Sequence, residues 1–69
     1  MKNELTIQRE KIGISQKKLG ELCGVGQQCV SSWEKGRTVP KPYQMQLLEE
    51  LFKVKKEKLF HQVFFIDEN

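Results

Sequence analysis

Ser15 to Gly36 reads SQKKLGELCGVGQQCVSSWEKG, and this stretch decides the fold. Its residues punctuate two short helices across a tight turn. Ser15 suits an N-cap because its hydroxyl can accept a hydrogen bond from an otherwise unpaired amide of the first turn, so a helix can begin at Gln16. Leu19 and Cys23 share one helical face, and Gly20 omits the side chain that would hold a neighbouring helix away. Gly24 supplies positive φ cheaply where the helix ends, and Gly26 bares backbone ahead of Gln27. Val30 and Trp33 turn inward together, which leaves Gln27, Gln28, Ser31 and Ser32 facing outward. That outer face is polar and hardly charged.

Working outward, residues 3–12 read as a helix with Leu5 and Ile12 on a common stripe and Gly13 ending the run. Ile14 plugs the corner. Pro40 and Pro42 break the chain after the third helix, and Pro42 suits the first position of a fourth, where its missing amide would go unpaired anyway. Met45, Leu48 and Phe52 bury one face of that helix, Glu49, Glu50 and Lys53 face water, and Leu51 and Val54 close its end. Residues 55–60 read as a short fifth helix with Leu59 and Phe60 inward.

The following run, HQVFFI, is rich in β-branched and aromatic residues and reads as a strand over Val63 to Ile66. A lone strand with apolar side chains on both faces needs a partner. The nearest is its twin in a second chain, which makes Val63, Phe64, Phe65 and Ile66 the candidate dimer interface; the alternative is a tail folded back over Ile7. The expected fold class is all-α, a compact five-helix domain over residues 1–60, with a tail over 61–69 carrying a short C-terminal β-strand.

At 69 residues the chain holds one domain, with a core too small for a comfortable enzyme pocket. Twelve basic and nine acidic residues give a formal charge of +3. All twelve bases lie in residues 1–60, whereas Asp67 and Glu68 fall in the tail, so twelve less seven leaves +5 on the domain. Such a field attracts a phosphate backbone, although many proteins are equally basic without touching nucleic acid. No apolar run approaches the roughly 20 residues of a membrane span, and MKNELTIQRE has no signal-peptide apolar region. The expected location is cytoplasmic. Cys23 and Cys29 are too few for a disulfide framework, and His61 alone gives them no metal-ligand company. Cys23 belongs in the core; Cys29 falls near the outer face of the third helix without a clear partner. With no nucleophile–base pair in sight, the reading is no enzyme, no cofactor, no metal and no small-molecule ligand.

Two helices with a glycine turn and a hydrogen-bonding outer face have the layout of a DNA-reading helix-turn-helix. Over about Leu5 to Phe60 the chain resembles the Cro and repressor group of phage and bacterial regulators, the Xre-like helix-turn-helix family. Its motif is most similar to lambdoid phage repressors, with which it shares Gln16, Gln27-Gln28 and the Glu34-Lys35-Gly36 ending. The resemblance implies a lambda-repressor-like domain whose third helix enters the major groove, acting as a homodimer on an operator. Leu22 and Leu47 depart from the family pattern, standing where it is usually polar and exposed. They are either partner contacts or isolated surface leucines.

Glutamine can bond adenine at two major-groove atoms at once, a pairing worth roughly 1–3 kcal/mol of discrimination. By the family's pattern Gln27 faces a base edge with Gln28 beside it, Ser32 reaches the next base pair, and Ser31 is a weaker candidate. Helix N-termini and flanking side chains serve phosphates, and Gln16, Lys17, Lys35, Arg37, Thr38 and Lys41 are assigned there; for the lysines the competing reading is a solvated surface. Arg9 and Glu34 match a charged pair that in lambdoid repressors joins the first helix to the end of the third. The function expected is a sequence-specific transcriptional regulator, repressor or Cro-like, that reads a palindromic double-stranded DNA operator. The alternatives are a restriction-modification controller protein and an antitoxin or other protein-interaction module.

Overall fold

The computed structural model describes residues 3–64. Six helices follow one another, α1 (Glu4–Lys11), α2 (Gln16–Cys23), α3 (Gln27–Glu34), α4 (Pro42–Phe52), α5 (Lys56–Leu59) and α6 (His61–Phe64). The first five are the five expected, and α6 adds one further turn.

Local chemistry sets the boundaries. The Ser15 hydroxyl accepts the Lys18 amide at 2.9 Å and starts α2. Gly24 ends it at φ 73°, left-handed geometry that costs glycine little. Gly20 makes the sharpest close approach, since a Cβ there would stand 2.7 Å from the Val25 carbonyl oxygen. The turn therefore folds directly onto α2, and α3 is delivered across it. Pro42 opens α4, where the Lys41 amide donates to Gln44 Oε1 at 2.8 Å.

Leu5, Leu19, Cys23, Val30, Trp33, Met45, Leu48, Phe52, Leu59 and Phe60 form one buried cluster drawn from five helices, with Ile14, Val25, Cys29 and Val54 packed against it. Two expectations fail at its edge. Ile12 is 48% exposed, because α1 stops at Lys11 and Gly13 at φ 77° turns the chain, so Ile14 takes the inward place instead. Glu49 is half-buried rather than solvated, and its carboxylate accepts the Lys56 amide at 2.7 Å to start α5.

The strand expected over Val63–Ile66 is corrected at its first two residues. Val63 and Phe64 belong to α6, where the Val63 amide donates to the Phe60 carbonyl at 2.9 Å. A local turn satisfies its own amides, whereas a single strand leaves a full row unpaired. Phe65 and Ile66 lie outside the described residues.

Candidate nucleic-acid interface

α3 stands on Val30 and Trp33, fully buried and nearly so, and presents the opposite face outward. Gln27 and Gln28 in its first turn are exposed; Ser31 and Ser32, one turn on, are half-buried. The N-cap is Gly26, with no side chain to bond the first-turn amides. Those amides and the positive end of the helix dipole point the way an anion would approach.

The other end of α3 is held by three polar side chains. Arg9 Nε lies 2.6 Å from Glu34 Oε2 and its Nη2 3.2 Å from Oε1, a two-point fork from α1. The same guanidinium donates to the Ile14 carbonyl at 2.8 Å, which fixes the α1–α2 corner. Gln16 Nε2 donates to Glu34 Oε1 at 3.0 Å. Asn3 does two things at once: its Oδ1 accepts the Thr6 amide at 2.9 Å to start α1, and its Nδ2 donates to the carbonyls of Trp33 at 3.2 Å and Glu34 at 2.7 Å. Orphan carbonyls at the end of α3 thus find a donor thirty residues upstream.

Burial pushes the Glu34 carboxyl up, but hydrogen bonds from Arg9, Gln16 and Thr6 and the charge of Arg9 outweigh it and hold the group below its ordinary range. Arg9 is raised in turn, first by its bond to Glu34. The pair is therefore ionised wherever the protein is folded near neutrality.

Among the residues expected at phosphates, Lys17, Lys35, Arg37, Thr38 and Lys41 are exposed. The turn after α3 brings Arg37 back onto the helix, its amide donating to the Ser32 carbonyl at 2.9 Å. Gln16 stands apart from this set, half-buried and joined to Glu34. Cys29 packs against the core rather than standing clear, and burial, with the neighbouring Cys29 thiol, raises the Cys23 thiol. Asn3 and Glu49 hold helix ends in ways that the residue pattern did not reveal. An Asn before a helical run is a cap signal, but nothing in the sequence shows that its amide also closes α3.

Among the described residues no group of three His, Cys, Asp or Glu side chains could hold a metal ion, and no helix is long and apolar enough to cross a membrane.

A second helix seated across a glycine turn, buried on one side and exposing a polar hydrogen-bonding face on the other, defines a helix-turn-helix. Residues 5–59 match the helix-turn-helix family HTH_3, and the chain belongs to that family of non-enzymatic DNA-binding regulators. It is 40% identical over 60 residues to YgzD of Bacillus subtilis (strain 168), described as an uncharacterized HTH-type transcriptional regulator, over 87% of this chain and 91% of the relative. No solved structure matches it.

Proposed function

We propose that this chain is a sequence-specific repressor or Cro-like regulator, cytoplasmic, which reads a palindromic operator as a homodimer through α3. The observation that carries the reading is the pairing of an exposed Gln27-Gln28 with a rigidly tethered helix end. Base readout needs the reading side chains held in register, and the Arg9–Glu34–Gln16 cluster with Asn3 supplies that constraint. In this reading Gln27, Gln28 and Ser32 meet base edges, with Ser31 beside them, while Lys17, Lys35, Arg37, Thr38 and Lys41 follow the backbone. One module buries roughly 600–1,000 Å² on DNA. Two subunits on half-sites about 34–36 Å apart gain affinity and symmetry together.

Selection from random duplexes followed by footprinting tests the reading, with a palindromic winner expected. Gln27→Ala or Gln28→Ala should lose about 1–3 kcal/mol of discrimination while binding to random DNA persists. Lys35→Ala or Arg37→Ala should weaken binding on every sequence and reduce the salt slope by about 1 each. Equal loss on specific and random DNA for the glutamine variants would remove them from base readout.

A further inference from the structure

Leu22 and Leu47 stand far apart in sequence, and the fold sets them across a single groove between α2 and α4. The groove encloses about 290 Å³ and is lined by Leu22, Cys23, Leu47, Glu50 and Leu51. Its leucines are 48%, 42% and 37% exposed in chain order, while Cys23 forms the buried floor. The apolar surface continues along α4. Tyr43, Leu47 and Leu51 recur every fourth residue, a stripe about 12 Å long at the helical rise. α4 therefore carries two apolar stripes, with Met45, Leu48 and Phe52 facing the core and the second facing solvent.

An apolar patch on both walls of a groove marks an interaction site more often than scattered surface leucines do. No set of polar groups converges in the groove to orient a small molecule. Side chains presented by a macromolecule suit it better.

We propose that the α2–α4 groove docks an amphipathic helix of a partner protein, apolar along one stripe and basic beside it. Glu50 is the one charged residue among those lining the groove; Lys18, one turn before Leu22, is not part of the lining. A basic flank on the incoming helix complements that carboxylate. A second copy of this chain offers none, because a twofold contact brings the same lining across and that lining holds no basic side chain. The stripe length also fits anchors at i, i+3 or i+4, and i+7 of an incoming helix, about 10 Å apart end to end. No α3 residue lines the groove, so docking leaves the reading face open and the inference stands whether or not α3 reads an operator.

The test uses the full chain and three synthetic peptide helices of about four turns. One has a leucine stripe flanked by lysines, the second replaces those lysines by glutamates, and the third keeps the first composition with the stripe scrambled. Binding of the first, with amide chemical-shift changes centred on Leu22, Leu47 and Leu51, is the expected result. Leu47→Gln should weaken it by about tenfold or more, with circular dichroism showing an unchanged fold, and Glu50→Lys should transfer preference to the acidic peptide. Equal binding of the scrambled or acidic peptide, shifts elsewhere on the surface, or no binding of the basic stripe overturns the proposal. So does sedimentation showing a dimer of the chain that Leu47→Gln dissolves, which would assign the groove to a second copy.

Discussion

At the C-terminal end of α3, Asn3 donates to two carbonyls and Arg9 and Gln16 converge on the Glu34 carboxylate. At the N-terminal end, Gly26 offers no side-chain cap. The same helix thus has one end with its polar groups satisfied from within and one end left to solvent or ligand. The closed end draws its partners from α1, α2 and the residue before α1, so its position is set by three separate points of the chain. The open end faces outward with Gln27 and Gln28 beside it. The proposed readout through α3 needs both. Fixing the far end sets the register, and leaving the near end unsatisfied keeps hydrogen-bonding capacity for something outside the molecule.

The largest effect should come from the side chain beneath the closed end. Trp33 is 3% exposed, and its own carbonyl is one of the two that Asn3 bonds. Trp33→Ala should cost about 3–5 kcal/mol, comparable with the whole stability of so small a domain. Circular dichroism should show no cooperative melt near 25 °C. A native-like transition would mean that the polar cluster alone can hold α3.

Breaking that cluster should come next. Arg9→Met leaves the Glu34 carboxylate, 6% exposed, without its fork, at a cost of about 3 kcal/mol, the low end for a broken buried pair. The pH dependence follows from the depressed Glu34 pKa. The carboxylate is easier to ionise in the folded state than in the unfolded one, so its contribution is complete above the ordinary 4.5 and is lost as pH falls through the lower folded value. Wild-type melting temperature should therefore fall on acidification through that window, and Glu34→Gln should flatten the fall. An unchanged acid limb in Glu34→Gln would place the acid sensitivity elsewhere.

The two ends also differ in how far they can be read from the residues. The open end is written in local rules: Ser15 caps α2, Gly24 takes positive φ, and Val30 and Trp33 share a face, each within one turn of its cause. The closed end depends on contacts across 18 to 31 residues, the separations of Gln16 and Asn3 from Glu34. Resemblance to a family supplied Arg9 and Glu34, while nothing local pointed to the Asn3 donors. The rule that helix N-termini and their flanking side chains serve phosphates put Gln16 among those contacts, and it could not show that the Gln16 amide donates to Glu34. Glu49 reads as solvated by periodicity alone, because its partner is the first amide of the following helix. The same limit explains Val63 and Phe64. Composition favours a strand there, but strand composition reports fit to neighbouring strands, and α6 closes its hydrogen bonds locally.

A smaller effect is expected at Gly20, which supports the open end from behind. Its added Cβ would meet Val25 O at 2.7 Å and Gly26 C and O at 3.2 Å, all backbone that cannot swing aside. Gly20→Ala gains up to about 1 kcal/mol of helix propensity and loses about 1–3 kcal/mol to the forced shift of the turn. Urea melts should show a net loss, together with weaker DNA binding, because α3 starts on the displaced turn. A stabilised variant with full DNA binding would show that the turn has room to give.

The finest test exchanges one end's chemistry for the other's. Gly26→Ser gives α3 the cap it lacks. The backbone there is already extended at φ −81° and ψ 165°, and nothing lies within 4 Å of the new Cβ, so the substitution brings no strain. Its hydroxyl can accept a first-turn amide, and serine exceeds glycine at an N-cap by only a few tenths of a kcal/mol, roughly. The melting temperature should rise slightly. DNA affinity should fall on operator and random duplex alike, since the amide now bonded inside the protein is no longer offered to a phosphate. If stability rises and binding to both duplexes is untouched, the amides at the start of α3 do not meet the backbone. The contrast between the two ends would then be one of stability alone.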